Sequence, residues 1–362
     1  MFSSATRPTA PLALPADIAA LLQRFGLTLE TLLTDSNPKL AKGSAVARGA
    51  ILHHLPARAL AAAVTPGTVA PTAPRSYLAA LAALADREGL SDAARRHNGC
   101  PWATAGCAAG CLNWAGHGGL SPAVAAARGR RTLAMLADPH AYGRAILWAI
   151  ARQWARAQAE GLPLAVRLRG TDEGPAIGWH RLALTITPAE AQAVARRFGL
   201  PLSPGDGVAH TLAAALSVPL AEGTLTLYDY SKAPLSGPLG LSAQRAAGWD
   251  ITASMAADRA TAAADALAAL GDGFRLAVPV TLAKGQPLPR TLTLSAPDRP
   301  PLTVPCINGD ATDHRWRDPS GVAVILRTKR SRGADAALAA PFSLAPTAHP
   351  QPLADGVATL GW

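Results

Sequence analysis

Five short apolar runs, each followed at once by a polar cluster, constrain this 362-residue chain more than any other feature. Leu168 leads into Arg169-Gly170-Thr171-Asp172-Glu173, and Leu227 into Tyr228-Asp229-Tyr230-Ser231-Lys232. Ile251 precedes Thr252-Ala253-Ser254. Ile307 precedes Asn308-Gly309-Asp310-Ala311-Thr312-Asp313-His314-Arg315, and Leu326 precedes Arg327-Thr328-Lys329-Arg330. Runs so short and so continuously apolar suit strands covered on both faces, as in a parallel sheet. Helical stretches precede the first of them, at 121–137 and 139–160, and separate others, at 188–199 and 256–270. Ser121-Pro122, Asp138-Pro139 and Thr187-Pro188 each set Pro at the first helical position behind a capping residue. This alternation predicts an α/β fold. A TIM-barrel-like architecture is expected, partial or irregular because helices do not separate every run between 225 and 326. A three-layer α/β sandwich is the alternative.

In such folds the carboxyl ends of the strands face one side, and ligands bind there. The polar clusters would then line one pocket. Its candidate catalytic groups are Asp172, Asp229, Lys232, Asp310, Asp313 and Lys329. Arg169, Tyr230, Ser254, Asn308 and Arg315 are its candidate binding groups. The aspartates suit general bases or metal ligands, and Lys232 or Lys329 suits an anionic group. Polar loops of the kind every soluble fold needs would produce the same residues without a site.

Three of the four cysteines, Cys100, Cys107 and Cys111, fall within twelve residues in a C-x6-C-x3-C pattern rich in Gly and Ala. Cys107 and Cys111 are four apart and share a face if the segment is helical. Three thiolates together suit an iron–sulfur cluster or a zinc ion, with His97 or His117 as a further ligand. A small-residue helix with incidental thiols is the reading without metal. Cys306 sits in an apolar run and is expected to pack as a free thiol. His53-His54 is expected to be solvated or satisfied.

The chain divides into a leader and helix (1–33), one α/β domain (34–330) with a helical insertion near 61–97, and an irregular tail (331–362). The insertion opens with a Pro-rich loop and is expected to decorate the fold from outside. The formal net charge is +10, with basic clusters at Arg128-Arg130-Arg131 and Arg327-Lys329-Arg330-Arg332. Such a balance attracts polyanions, so a nucleic-acid-binding, replication-associated role is the alternative to an enzyme acting on a small molecule. No apolar run has the length of a membrane span, and residues 1–20 lack the pattern of a secretory signal. With cysteines so few and so local, a cytoplasmic setting is expected.

Several motifs, in order, resemble the gene-product-88 family of phages and mobile elements. They are Asn37-Pro38-Lys39-Leu40-Ala41-Lys42-Gly43, then Cys100-Pro101, Gly106-Cys107 and Cys111-Leu112, then Arg131-Thr132. Val166-Arg167-Leu168-Arg169-Gly170-Thr171-Asp172 and Tyr228-Asp229-Tyr230-Ser231-Lys232 follow. Asn308-Gly309-Asp310 with Asp313 and Val324-Ile325-Leu326-Arg327-Thr328-Lys329 complete the set. The resemblance adds Asn37 and Lys39 to the pocket and implies no particular reaction. The same strand-end motifs and cysteines are similar, more loosely, to barrels that use an iron–sulfur cluster and S-adenosylmethionine. Those usually carry C-x3-C-x2-C, and this chain does not.

Overall fold

The computed structural model describes residues 13–35, 40, 42–56, 59–64, 75–109, 111, 121–205, 208–283, 285–328 and 342–362. Among them, eleven strands form one open sheet. They are β1 (Leu33–Thr34), β2 (Arg48–Leu52), β3 (Leu164–Arg167), β6 (Leu225–Ser231), β7 (Asp250–Ser254), β8 (Arg275–Val280), β9 (Thr291–Ala296), β10 (Arg299–Asn308), β11 (Ala323–Arg327), β12 (Gln351–Leu353) and β13 (Gly356–Gly361). Two further strands, β4 (Ala183–Leu184) and β5 (His210–Thr211), pair with each other. The order in the sheet is β1-β2-β3-β6-β7-β8-β11-β10-β9-β13-β12. All pairings from β2 to β10 are parallel. Antiparallel pairs flank that block on both sides. The fold is therefore α/β around a large, mostly parallel sheet whose end strands, β1 and β12, do not meet.

Both faces of the parallel block are covered. Leu164, Val166, Leu225, Leu227, Ile251, Leu276 and Val278 are nearly inaccessible and belong to the main core shared with the helices. Ala165 and Tyr228, of opposite parity, join Ala47 in a second, smaller cluster against Trp316. That two-sided burial is why these strands read as unbroken apolar runs.

The helices begin where the capping pairs predict. The Ser121 and Asp138 side chains accept from Val124 N and Ala141 N, each with Pro at the first helical position. Thr187 does the same for Glu190 N, and Gly199 closes that helix at φ 73°. Pro139–Ala159 is buried around most of its circumference, from Tyr142 and Trp148 to Trp154 and Ala157, and lies in the middle of the helical layer. No helix among the described residues is long and apolar enough to cross a membrane.

Two expectations change. The insertion is not merely decoration: Leu60, Leu81, Ala85 and Ala94 are at most 2% exposed and sit in the main core. A Cβ at Gly129 would come within 2.4 Å of the Leu81 side chain, so helix Arg75–Arg87 lies directly on helix Pro122–Ala137. Gly89, at φ 67°, separates helix Arg75–Arg87 from helix Ser91–Arg96. The tail is not irregular at its end either. β12 and β13 form a hairpin, and β13 pairs with β9. Between them, both Asp355 carboxylate oxygens accept from Ala263 N and Ala264 N at 2.8 and 2.9 Å. The last residues thus supply the N-terminal cap of helix Ala262–Gly271. Asp355→Ala is expected to cost about 1 kcal/mol, the usual value of a lost cap, read as a lower urea midpoint at unchanged slope.

Candidate functional site at the carboxyl edge of the strands

The parallel strands bring the polar segments that follow them to one edge, where they fall into four groups. The first surrounds Arg167, the last residue of β3. Its Nη1 lies 3.2 Å from Asp313 Oδ2 and its Nε 3.5 Å from Asp229 Oδ1. Its guanidinium stands 4.6 Å over the Tyr230 ring. Tyr228 and Tyr230 both donate to Asp313, at 3.2 and 3.4 Å. Arg315 is buried nearby, donating to Thr312 O and lying 3.0 Å from Asp318. Asp229 performs a backbone task as well. Past the last β3–β6 pair, Leu168 N and Arg169 N donate to its carboxylate at 3.2 and 3.1 Å. Burial pushes this carboxyl up to about 7, against the pull of Arg169, Arg167 and the two amides.

The second group is Asp172 with His54. Their side chains are fully buried and 3.1 Å apart, and His54 Nε2 meets the Tyr142 hydroxyl at 3.0 Å. Trp179 stacks on the imidazole with ring centroids 6.2 Å apart. Asp172 Oδ2 also accepts from Gly174 N. The satisfied reading of the His pair holds for His54. His53, buried beside Arg128, Arg167 and Arg131, has its pKa pushed well below the ordinary value, first by burial and then by those cations.

The third group joins Lys232 to the cysteine segment. Glu173 accepts from Lys232 N and Ser231 Oγ at 3.1 and 3.0 Å. Glu173 N donates to Gly99 O, and the Cys100 thiol lies 3.8 Å from Thr171 O. Arg259 donates to both Lys232 O and Trp102 O, tying the two loops together. Asp258 accepts from Thr104 Oγ1 and Gly106 N, and Thr104 Oγ1 in turn from Cys107 N. Burial opposes the charge on Lys232, but Cys107, Glu173, Cys100 and Cys111 outweigh it and hold the ammonium above its usual pKa. The three cysteines therefore share one cationic neighbour. Ser231, Lys232, Ser254 and Arg259 line a cavity of about 20 Å³ here, alongside Leu241, room for about one water.

The fourth group is at β10 and β11. Arg327 N donates to Asp310 Oδ2 at 3.0 Å, Lys42 Nζ to Asp310 O, and Asp310 N to Asn308 Oδ1. Arg169, anchored by Gln244, joins the edge between the first and third groups. Asn37, Lys39, Lys329 and His117 lie outside the described residues.

No three His, Cys, Asp or Glu side chains among the described residues come together so as to hold an ion. Lys232 already supplies a positive charge to the cysteines. His97 Nε2 is buried beside Gly99 without a hydrogen-bond partner. Cys306 packs against the main core, and burial pushes its thiol up to about 12. The first basic cluster turns partly inward, while Lys329, Arg330 and Arg332 of the second lie outside the described residues. Arg128 is 7% exposed, and Arg131 donates to Thr31 O and His53 O.

Sequence reasoning passed over His54, Glu173, Arg167, Arg259 and Asp258 as functional neighbours. For Glu173 and Arg167 a signal existed, since each flanks a residue already singled out. For His54, Asp258 and Arg259 only the fold supplies the partner.

Fold and edge together define an open-sheet α/β protein with a polar site at its parallel strand ends. The family profile for gene product 88 matches residues 31–340, and the chain belongs to that family. No curated protein and no solved structure matches it.

Proposed function

We propose that this chain is an enzyme acting on a small molecule at the carboxyl edge of its parallel strands, with Lys232 and the three clustered cysteines as its reactive groups. The observation that carries this is the tie between the Lys232 loop and the cysteine segment: Glu173 accepts from Lys232 N and donates its own N–H to Gly99 O, and Arg259 joins Lys232 O to Trp102 O. Ligands of parallel α/β folds bind at that edge. The Lys232 ammonium there can hold an anionic group, and cysteine thiols are nucleophiles. Glu173 fixes the Lys232 backbone, while Arg259 keeps the cysteine loop against it. The seven parallel strands, taken with one apolar and one partly polar face, are read as an incomplete barrel around the edge.

The test is alkylation of the full chain, purified without oxygen, with iron, zinc and sulfide measured on the same samples. Iodoacetamide uptake is expected to fall by at least one thiol in each of Cys100→Ala, Cys107→Ala and Cys111→Ala. Its rate is expected to drop severalfold in Lys232→Met, with Cys306→Ala unchanged. Uptake independent of Lys232 would remove the reading. Stoichiometric iron and sulfide lost in all three cysteine variants would replace it with a cluster enzyme.

A further inference from the structure

Arg169 lies two residues past the end of β3 and is 3% exposed. Its Nη1 is held by Gln244 Oε1 at 2.6 Å, with Glu173 Oε2 farther away at 3.5 Å. Gln244 is itself fixed, since its Nε2 donates to Leu239 O at 2.8 Å. The guanidinium lies 5.7 Å from the centroid of the Trp249 ring. One end of the fork and one face are therefore pinned. The other end is not used: Nε and Nη2 are both buried and have no hydrogen-bond partner. These two nitrogens point their N–H bonds side by side, in the geometry that takes a carboxylate or phosphate through two parallel hydrogen bonds.

The surroundings favour an anion. Trp249 Nε1, on the ring beside the guanidinium, is also a buried donor without a partner. Buried N–H groups in a cluster call for a group that only accepts. The carboxylates nearby are already committed: Glu173 to Ser231 Oγ and Lys232 N, and Asp229 to Leu168 N and Arg169 N. His180 completes the arrangement. Its Nε2 meets Pro238 O at 3.0 Å, leaving Nδ1 buried and unpartnered. Burial first, then Arg169 and Arg181 against the carbonyl, lower its pKa. A neutral His180 keeps an Nδ1 lone pair that can accept from a hydroxyl of a bound acid. Ser231 and Leu241, which line the small cavity beside Lys232, lie on the same two elements that hold Glu173 and Gln244.

We propose that Arg169 is the oxyanion-binding group of the strand-end site, gripping the carboxylate or phosphate of a small-molecule ligand side-on through Nε and Nη2. This deepens the enzyme reading by naming the class of ligand, and rests on that reading only for treating the edge as a binding site.

Acetate and orthophosphate, each titrated into the full chain at constant ionic strength, test it by the thermal midpoint and by the ¹H–¹⁵N signals of arginine Nε and tryptophan Nε1. At least one anion is expected to shift the Arg169 Nε and Trp249 Nε1 signals saturably and to raise the midpoint. The anion that does so identifies the class. Arg169→Lys keeps the charge but loses the fork, and its affinity is expected to fall at least tenfold. Should that variant fail to fold, the wild-type signals decide alone. No saturable shift with either anion, or equal binding in Arg169→Lys, overturns the proposal. The readout does not depend on thiol reactivity or metal content, so its failure leaves the cysteine–lysine reading standing, and the reverse is equally true.

Discussion

Asp229→Ala is expected to be among the most damaging single changes in the chain, lowering stability by about 3–5 kcal/mol, the usual cost of breaking a buried charged network. The substitution removes the acceptor of Leu168 N and Arg169 N and one of the two carboxylates near Arg167. Asp229→Asn keeps an acceptor oxygen but sets an NH₂ against one amide, so it should cost less, roughly 1–2 kcal/mol. The pH dependence separates this residue from the rest. Its folded pKa of about 7 stands above the ordinary 3.8. The folded state therefore holds an extra proton between those values. Its contribution is complete below about pH 4 and is lost as pH rises through about 7, by at most about 4 kcal/mol. Urea unfolding of wild type and Asp229→Asn from pH 5 to pH 8 reads it directly. The wild type should lose stability relative to the variant as pH rises. A difference that is flat, or that runs the other way, would show that Asp229 is ionised throughout and pinned by its amides.

The parts of the fold legible in the sequence are those where burial on both faces leaves an uninterrupted apolar run. The runs that end at Leu168 and Leu326 stop within a residue of the ends of β3 and β11 for that reason. β9 escaped because it alternates, with Leu292 and Leu294 inward and Thr291 and Thr293 less buried, and belongs to the antiparallel flank. β13 escaped because Gly356 and Gly361 bracket only three apolar residues and a Thr, a pattern that becomes a strand through pairing with β9. The insertion was legible as helix, but what it covers was not: Leu81 finds its place only because Gly129 lacks a side chain. At the site the acids were legible by type, not by task. Asp229 lies near the end of β6 and Asp310 just past β10, where a catalytic acid would stand, yet both receive backbone amides at the point where a strand ladder ends. Nothing local distinguishes a carboxylate that ends a ladder from one that meets a substrate. Arg169 was singled out as a binder, while its unused fork depends on Gln244, seventy-five positions away.

Arg167→Met should rival the loss at Asp229 and reveal how the strand ends are held. It leaves Asp313 and Asp229 buried without the cation between them, a change of about 3–5 kcal/mol when one partner of a buried pair is deleted. The two tyrosine hydroxyls on Asp313 cannot replace a charge, and the Tyr230 ring loses the guanidinium stacked on it. Because much of the penalty belongs to the stranded carboxylate, removing that charge too should return part of it. Arg167→Met/Asp313→Asn is expected to be more stable than Arg167→Met alone, with a coupling on the order of 1–3 kcal/mol between the two positions. Arg167→Lys should fall between wild type and Met, since an ammonium keeps the charge but cannot reach Asp313 and Asp229 with separate nitrogens. Urea midpoints for the full cycle decide the matter. Strictly additive changes would mean that Arg167 stabilises the edge through its packing on Tyr230 and not through its carboxylates. A positive coupling makes it the tie between β3, β6 and the segment after β10, the three elements whose ends carry Arg169, Lys232 and Asp313.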